Sequence, residues 1–178
     1  MTVAPGTRTL ATCRLRPWRE DDEAALVRHA NDPEVVRWLR DAFPYPYTID
    51  HARTWLACSD LWRPVRHWAI EVDGESVGGC SLEPRGDVYR RTLEIGYWLG
   101  RQYWGRGIAS EVVAVVTAAA LEQPSTARIE ALVFAGNLAS ARVLEKAGFT
   151  RESVQRQAVS KHGALLDQWL YVRLGQSF

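Results

Sequence analysis

A chain of 178 residues is long enough for one domain with a sizeable core, and 47% hydrophobic against 24% charged residues is ordinary for a globular protein. A formal net charge of +1 offers no bulk attraction for nucleic acid, and no stretch approaches the ~20 apolar residues of a membrane span. The three cysteines, Cys13, Cys58 and Cys80, form neither a disulfide framework nor a metal-ligand pattern, and residues 1–6 lack the basic start and apolar run of a secretory signal, so a cytoplasmic location is expected.

In chain order, residues 1–8 read as a loose arm. Residues 9–16 alternate enough for a first strand, stopped by Pro17. Asp21 is placed to cap a helix over residues 22–30, with Ala25, Leu26 and His29 on one face. Pro33 suits the first turn of a short helix ending near Arg40. Phe43-Pro44-Tyr45-Pro46-Tyr47 is too proline-rich for regular helix. Thr48 or Asp50 can cap the next helix, which runs to Ala57 and turns Ala52, Trp55 and Leu56 inward. Residues 67–72 and 75–82 form a hairpin around the Asp73-Gly74 turn, with Gly78-Gly79 as a bulge. Residues 92–99 make a fourth strand. A helix over 107–121 repeats Ile108, Val112, Val116 and Ala120 every four residues. The strand over 128–134 is partly apolar on both faces, as a central strand should be. A helix over 137–147 ends at Gly148, and strands over 149–159 and 165–172 close the chain. The order predicts a single α/β domain over residues 1–178, with a mixed sheet and helices on both faces.

The most informative stretch is Gln102-Tyr103-Trp104-Gly105-Arg106-Gly107-Ile108-Ala109, between the fourth strand and the Ala/Val-rich helix. The first amides of a helix lack intrahelical partners and the dipole is positive there. Glycines let an anion approach the backbone, and Arg106 adds a cation. The chain has no Gly-Lys pair for a Walker loop, and Ser110 stands where a dinucleotide fingerprint starting at Gly105 needs Gly or Ala. On residues alone, an anion-binding turn and a plain strand–helix corner both stay open.

Gln102-x-x-Gly105-x-Gly107 resembles the Q/R-x-x-G-x-G/A pyrophosphate loop of the GNAT acetyltransferases. Asn137-Leu138-Ala139-Ser140-Ala141-Arg142-Val143-Leu144-Glu145-Lys146-Ala147-Gly148-Phe149 resembles a segment of the branch related to ribosomal-protein N-acetyltransferases. Glu94-Ile95-Gly96-Tyr97-Trp98-Leu99 resembles that branch's fourth strand. Leu15-Arg16-Pro17-Trp18 with Asp21-Asp22 resembles its first strand and helix start. The four blocks stand in the family's order, and the likeness spans roughly residues 9–173.

The resemblance implies a GNAT fold, a mostly antiparallel twisted sheet splayed between its fourth and fifth strands. It also implies an enzyme that moves an acetyl group from acetyl-CoA to a primary amine, with no metal. Amides of Gly105, Arg106, Gly107, Ile108 and Ala109 are then assigned to the pyrophosphate, with Gln102 leading the loop. Tyr97, Trp98 and Leu99 lie beside the pantetheine arm, where strand amides can bond the arm as an added strand would. Asn137 contacts the same arm or simply caps its helix. Ser140 faces the coenzyme sulfur and protonates the thiolate, or is a locally bonded helix-start hydroxyl. Glu94 is the base candidate, through burial or a water, because an amine of pKa roughly 8 to 10 arrives protonated; its plain alternative is an ion-pair partner.

The family builds its acceptor wall where Phe43–Tyr47, Trp38 and Trp55 fall, and Arg37 and Arg40 could there meet a carboxylate or an acidic peptide. Candidate acceptors are protein N-termini, amino acids and small amines, and the protein is expected as a monomer or homodimer. A CoA-binding sensor without turnover and an enzyme using a longer acyl-CoA are the alternatives. The four histidines lack metal spacing, and no G-x-S-x-G elbow is present.

Overall fold

The structure, a computed structural model, describes residues 6–59 and 66–175, so most of the expected N-terminal arm lies outside it. Two short strands, β1 (Arg8–Thr9) and β2 (Arg14–Arg16), replace the single strand expected over residues 9–16. The chain turns between them: the Leu10 amide returns to the Cys13 carbonyl at 2.8 Å. The Glu111 carboxylate, arriving from a distant helix, accepts the amides of Ala11 and Thr12 at 2.7 and 2.9 Å. Arg8 is therefore part of the sheet and not of a loose arm.

Helix α1 (Glu23–Ala30) follows one 3-10 turn, and it is Asp22 rather than Asp21 that organises its start. The Asp22 carboxylate accepts the Arg19 amide at 2.8 Å. Helix α2 (Pro33–Val36) ends well short of Arg40. Beyond it the amides of Trp38 and Leu39 bond only three residues back, to Val35 and Val36, and the Lys161 ammonium captures the Leu39 carbonyl at 2.6 Å. Helix α3 (Ile49–Ser59) is capped by Thr48, whose hydroxyl accepts the His51 amide at 3.3 Å.

Strands β3 (Arg66–Val72) and β4 (Glu75–Pro84) form the expected hairpin. Asp73 and Gly74 both take positive φ, 51° and 84°, as a tight turn matched to strand twist requires. The bulge falls at Val77 and not at Gly78-Gly79: Ile70 faces Gly78 while Glu71 faces Ser76, which leaves Val77 as the extra residue. Its carbonyl takes the Gly100 amide at 2.8 Å. Gly78 serves a different need, since a Cβ there would come within 2.4 Å of the Trp98 carbonyl on the next strand.

Then come β5 (Thr92–Leu99), α4 (Ile108–Leu121), β6 (Arg128–Phe134), α5 (Leu138–Lys146), β7 (Thr150–Lys161) and β8 (Ala164–Leu174). They complete a sheet of order β1-β2-β3-β4-β5-β6-β8-β7. Every neighbouring pair is antiparallel except β5–β6. This is the mixed, mostly antiparallel GNAT architecture expected from the sequence.

Successive strand side chains point to opposite faces. On β5, Ile95 and Leu99 join the larger core with Val112, Val116 and Leu144 of α4 and α5. Trp98 turns the other way, to the smaller cluster of Leu26, Ala30, Tyr47 and Ala52 around α1 and α3. Helices thus cover both faces. The feature that positions the site is the β5–β6 ladder, which pairs Thr92 with Arg128, Leu93 with Ile129 and Glu94 with Glu130, and then stops. From Ile95 onward the two strands part.

An ion triad joins the edge of the sheet to the first helix. Arg16, 2% exposed, donates to both Asp22 oxygens at 2.7 Å and also to the Glu71 carboxylate. Burial alone would raise the Asp22 carboxyl, but the Arg16 guanidinium and the Arg19 amide outweigh it and hold the group below its ordinary value. Removing one member of a buried pair leaves the others uncompensated, so Asp22→Asn should lower unfolding free energy by about 3 to 5 kcal/mol at pH 7. Because the folded-state value is the lower one, this contribution is present above the unfolded carboxylate range, about pH 4, and is lost as pH falls through the folded value. Urea midpoints of wild type and variant should therefore converge on acidification; a gap that stays constant with pH would mean the loss is one of packing.

Candidate active site

The parting of β5 and β6 opens a cleft of about 880 Å³. Its walls come from both sides of the sheet. Trp18, Leu26 and Trp55 border it from the α1/α3 side, and Ile108, Ala109 and Leu144 from the α4/α5 side. The cleft therefore passes through the sheet where pairing ends.

Of the residues singled out in the sequence, Glu94, Tyr97, Trp98, Leu99, Gly105, Gly107, Ile108, Ala109, Asn137 and Ser140 all line this one cleft. Gln102 and Arg106 do not. Gln102 sits exposed in the 3-10 turn before the loop, and the Arg106 guanidinium lies 5.0 Å above the Tyr103 ring. A part for Arg106 at the ligand thus rests on its backbone amide.

The glycine loop has the geometry of an anion cradle. Gly105 and Gly107 take φ of 75° and 82°, the left-handed region that glycine occupies without strain. Gly107 is the N-cap of α4, and no side chain caps that helix. Among the described residues, the amides from Gly105 to Ser110 find no backbone acceptor, and the first helical bond is Glu111 to the Gly107 carbonyl. These are unsatisfied donors at the positive end of a 14-residue helix. The Trp104 indole fixes the loop to the strand, donating to the Leu99 carbonyl at 2.7 Å.

Asn137 caps α5, its side-chain oxygen accepting the Ser140 amide at 3.1 Å. The local role and a ligand-facing role coexist, since Asn137 also borders the cleft. The Ser140 hydroxyl lies 2.8 Å from the Tyr97 hydroxyl, which is also 3.2 Å from the Ser140 carbonyl. Burial pushes the Tyr97 phenol well above its ordinary value, so it stays protonated at any working pH. This pairing was not apparent in the sequence.

Glu94 is held by arginines. Its carboxylate pairs with Arg40 and lies 3.5 Å from Arg85, which reaches Glu130 at 2.9 Å. Arg128 continues the alternation from Glu130 to Glu152. Glu83, Glu94 and Glu130 face one another across β4, β5 and β6, so the arginines relieve a row of like charges. Arg85 was missed because its pairing depends on the register of two strands.

On the α1/α3 side the walls are aromatic. Phe43 contacts Tyr47 and Trp98 with ring centroids 5.1 and 5.5 Å apart, and Trp18 meets Trp55 edge-on at 5.0 Å. The Phe43–Tyr47 segment is irregular as expected, and Phe43, Pro44 and Tyr47 border the cleft. Tyr45 is exposed instead, and Tyr47 is core. Arg37 is drawn off by Glu34 at 2.9 Å and by the Trp38 ring, which leaves Arg40 as the cleft-lining arginine of that pair. Lys161, at the β7–β8 tip, holds the stretch after α2, donating to the Leu39 carbonyl at 2.6 Å and to Asp41 at 2.8 Å.

A family profile described as an acetyltransferase (GNAT) domain matches residues 13–150. The uncharacterized N-acetyltransferase YoaA of Bacillus subtilis is 33% identical over 156 residues, which is 85% of this chain and 86% of that protein. The uncharacterized N-acetyltransferase p20 of Bacillus licheniformis is 29% identical over 178 residues, covering 96% and 98% of the two chains. Among solved structures, RimJ of Mycobacterium smegmatis in complex with CoA-disulfide superposes with a TM-score of 0.84 at 25% identity, covering 96% of this chain and 88% of that one. With the profile match extending over most of its length, the chain belongs to the GNAT family and is an N-acetyltransferase.

Proposed function

We propose that the protein transfers the acetyl group of acetyl-CoA to a primary amine. The observation that carries this reading is a cleft that passes through the sheet, with an anion cradle on one side and an aromatic chamber on the other. The pyrophosphate sits on the amides of residues 105–109. The pantetheine arm follows β5 along its edge freed from β6, and brings the thioester to the parting point. The amine enters past Phe43, Trp18 and Trp55. Transfer then depends chiefly on holding the two reactants in contact. Glu94, paired with Arg40 and Arg85, takes the proton of the arriving ammonium through water. Ser140 hands a proton to the departing sulfur. The CoA-disulfide complex of the similar RimJ supports the coenzyme assignment.

A panel of peptide, amino-acid and small-molecule amines, with acetyl-CoA and a thiol-detecting dye, tests the reading. Thiol release that depends on an amine is expected. A protein that binds the coenzyme and releases no thiol with any amine would be a sensor, and release only with longer acyl-CoAs would reassign the donor.

Three variants probe the parts. Gly107→Ala adds a Cβ that meets nothing within 4 Å, so the fold should persist. The unliganded loop will relax from φ 82°, and binding must restore a strain of about 1 to 3 kcal/mol. Calorimetry should show acetyl-CoA binding weaker by about 5- to 150-fold; unchanged affinity would remove the loop from the site. Ser140→Ala should lower kcat, within the ~10²–10⁴ range of general acid–base effects, and leave coenzyme affinity almost untouched. In Glu94→Gln, turnover should be slow at neutral pH and partly recover at high pH, where free amine is abundant. One shared pH–rate profile and one rate for variant and wild type would leave Glu94 a purely structural ion-pair partner.

A further inference from the structure

We propose that Tyr97 is a positioning residue for Ser140, fixing the direction in which the serine hydroxyl points its proton. The inference rests on the function proposed above and adds a residue to its proton path.

Two hydroxyls, Tyr97 and Ser140, share a 2.8 Å contact, and the Ser140 carbonyl lies 3.2 Å from the same phenol oxygen. A carbonyl only accepts, and each hydroxyl has one proton. Two arrangements satisfy the group. In the first, Tyr97 donates to the carbonyl and Ser140 donates to Tyr97, so the serine proton is turned away from the cleft. In the second, Tyr97 donates to the Ser140 oxygen, and the serine proton is released into the cleft that both residues line. A negative sulfur in the cleft selects the second, because a hydrogen bond to an anion is stronger than one between neutral groups. The Ser140 amide is held by Asn137 at 3.1 Å, so the helix turn carrying the hydroxyl is itself fixed.

The phenol does not become the proton source. Burial keeps it protonated, and a tyrosinate formed there would face a core of apolar side chains. The balance closes without it. After attack, the new nitrogen carries an extra proton. The carbon–sulfur bond breaks and its electron pair goes to sulfur. Ser140 gives its proton to sulfur and takes the proton leaving nitrogen. Tyr97, donating throughout, steadies the serine oxygen while charge passes through it.

The test is a double-mutant cycle on the full-length protein. Tyr97→Phe deletes one oxygen and keeps the ring. With acetyl-CoA and the best amine of the panel, kcat should fall by about 10- to 100-fold, the value of one hydrogen bond to a charged group, with the KM for acetyl-CoA nearly unchanged. In a Ser140→Ala background, Tyr97→Phe should cost nothing more, a result that lost packing would not produce. Equal losses in both backgrounds, or an effect on KM alone, would overturn the proposal. So would a normal kcat in Ser140→Ala. Wild type is assayed alongside: its failure to turn over overturns the function as well, whereas normal wild-type turnover with a normal Tyr97→Phe variant overturns only the pairing.

Discussion

A parallel ladder that ends after Glu94 and Glu130 is the constraint on which the rest of this structure depends. Continuous pairing of β5 with β6 would leave no cleft, and the strand amides that can receive an extended ligand would be consumed within the sheet. Several features keep the ladder short. Gly78 allows β4 to lie hard against β5, and the Val77 bulge sends its carbonyl to Gly100 at the end of that strand. β5 is thereby bound firmly to one neighbour while it diverges from the other. At the last shared rung two carboxylates stand side by side, and Arg85 bridges them. The same pair of carboxylates marks where the sheet opens.

The two ends of the cleft are stabilised by different physics. The end that the proposed function gives to the coenzyme is backbone: glycines in the left-handed region, free amides and a helix dipole. The other end, where the proposed function puts the acceptor, is side chains: an aromatic chamber bordered by the Arg40–Glu94 ion pair, with the stretch after α2 held from outside by Lys161 through the Leu39 carbonyl and Asp41. Substitution can reshape the second without disturbing the first. The carboxylate of Glu111 ties the first turn of α4 to the β1–β2 corner.

Much of this was legible in the sequence, and the reason is locality. The loop from Gly105 to Ala109, the Asn137 cap and the Asp73-Gly74 turn are each specified by residues a few positions apart, and the loop and the cap both border the one cleft. What was illegible is set by tertiary partners. The break within residues 9–16 depends on Glu111, about a hundred residues away. The early end of α2 coincides with capture of the Leu39 carbonyl by Lys161. Asp22 displaced Asp21 because Arg16 needed a buried carboxylate, a demand that spacing alone does not reveal. The Tyr97–Ser140 contact joins a strand to a helix 43 residues on, and periodicity gives the face but not the partner.

A passage open on both faces has a kinetic corollary. In the proposed reaction donor and acceptor would enter from opposite sides of the sheet, so neither need leave before the other arrives, and a ternary complex with direct transfer is the natural sequence of events. The competing route, a ping-pong cycle through an acetylated side chain, would need an activated nucleophile at the crossing. The cysteine bordering the passage, Cys80, is buried, and burial pushes its thiol up to about 12, far from the thiolate that such a step demands. The same geometry lets the acetylated product depart while CoA is still seated, so turnover can be governed by release of the coenzyme alone.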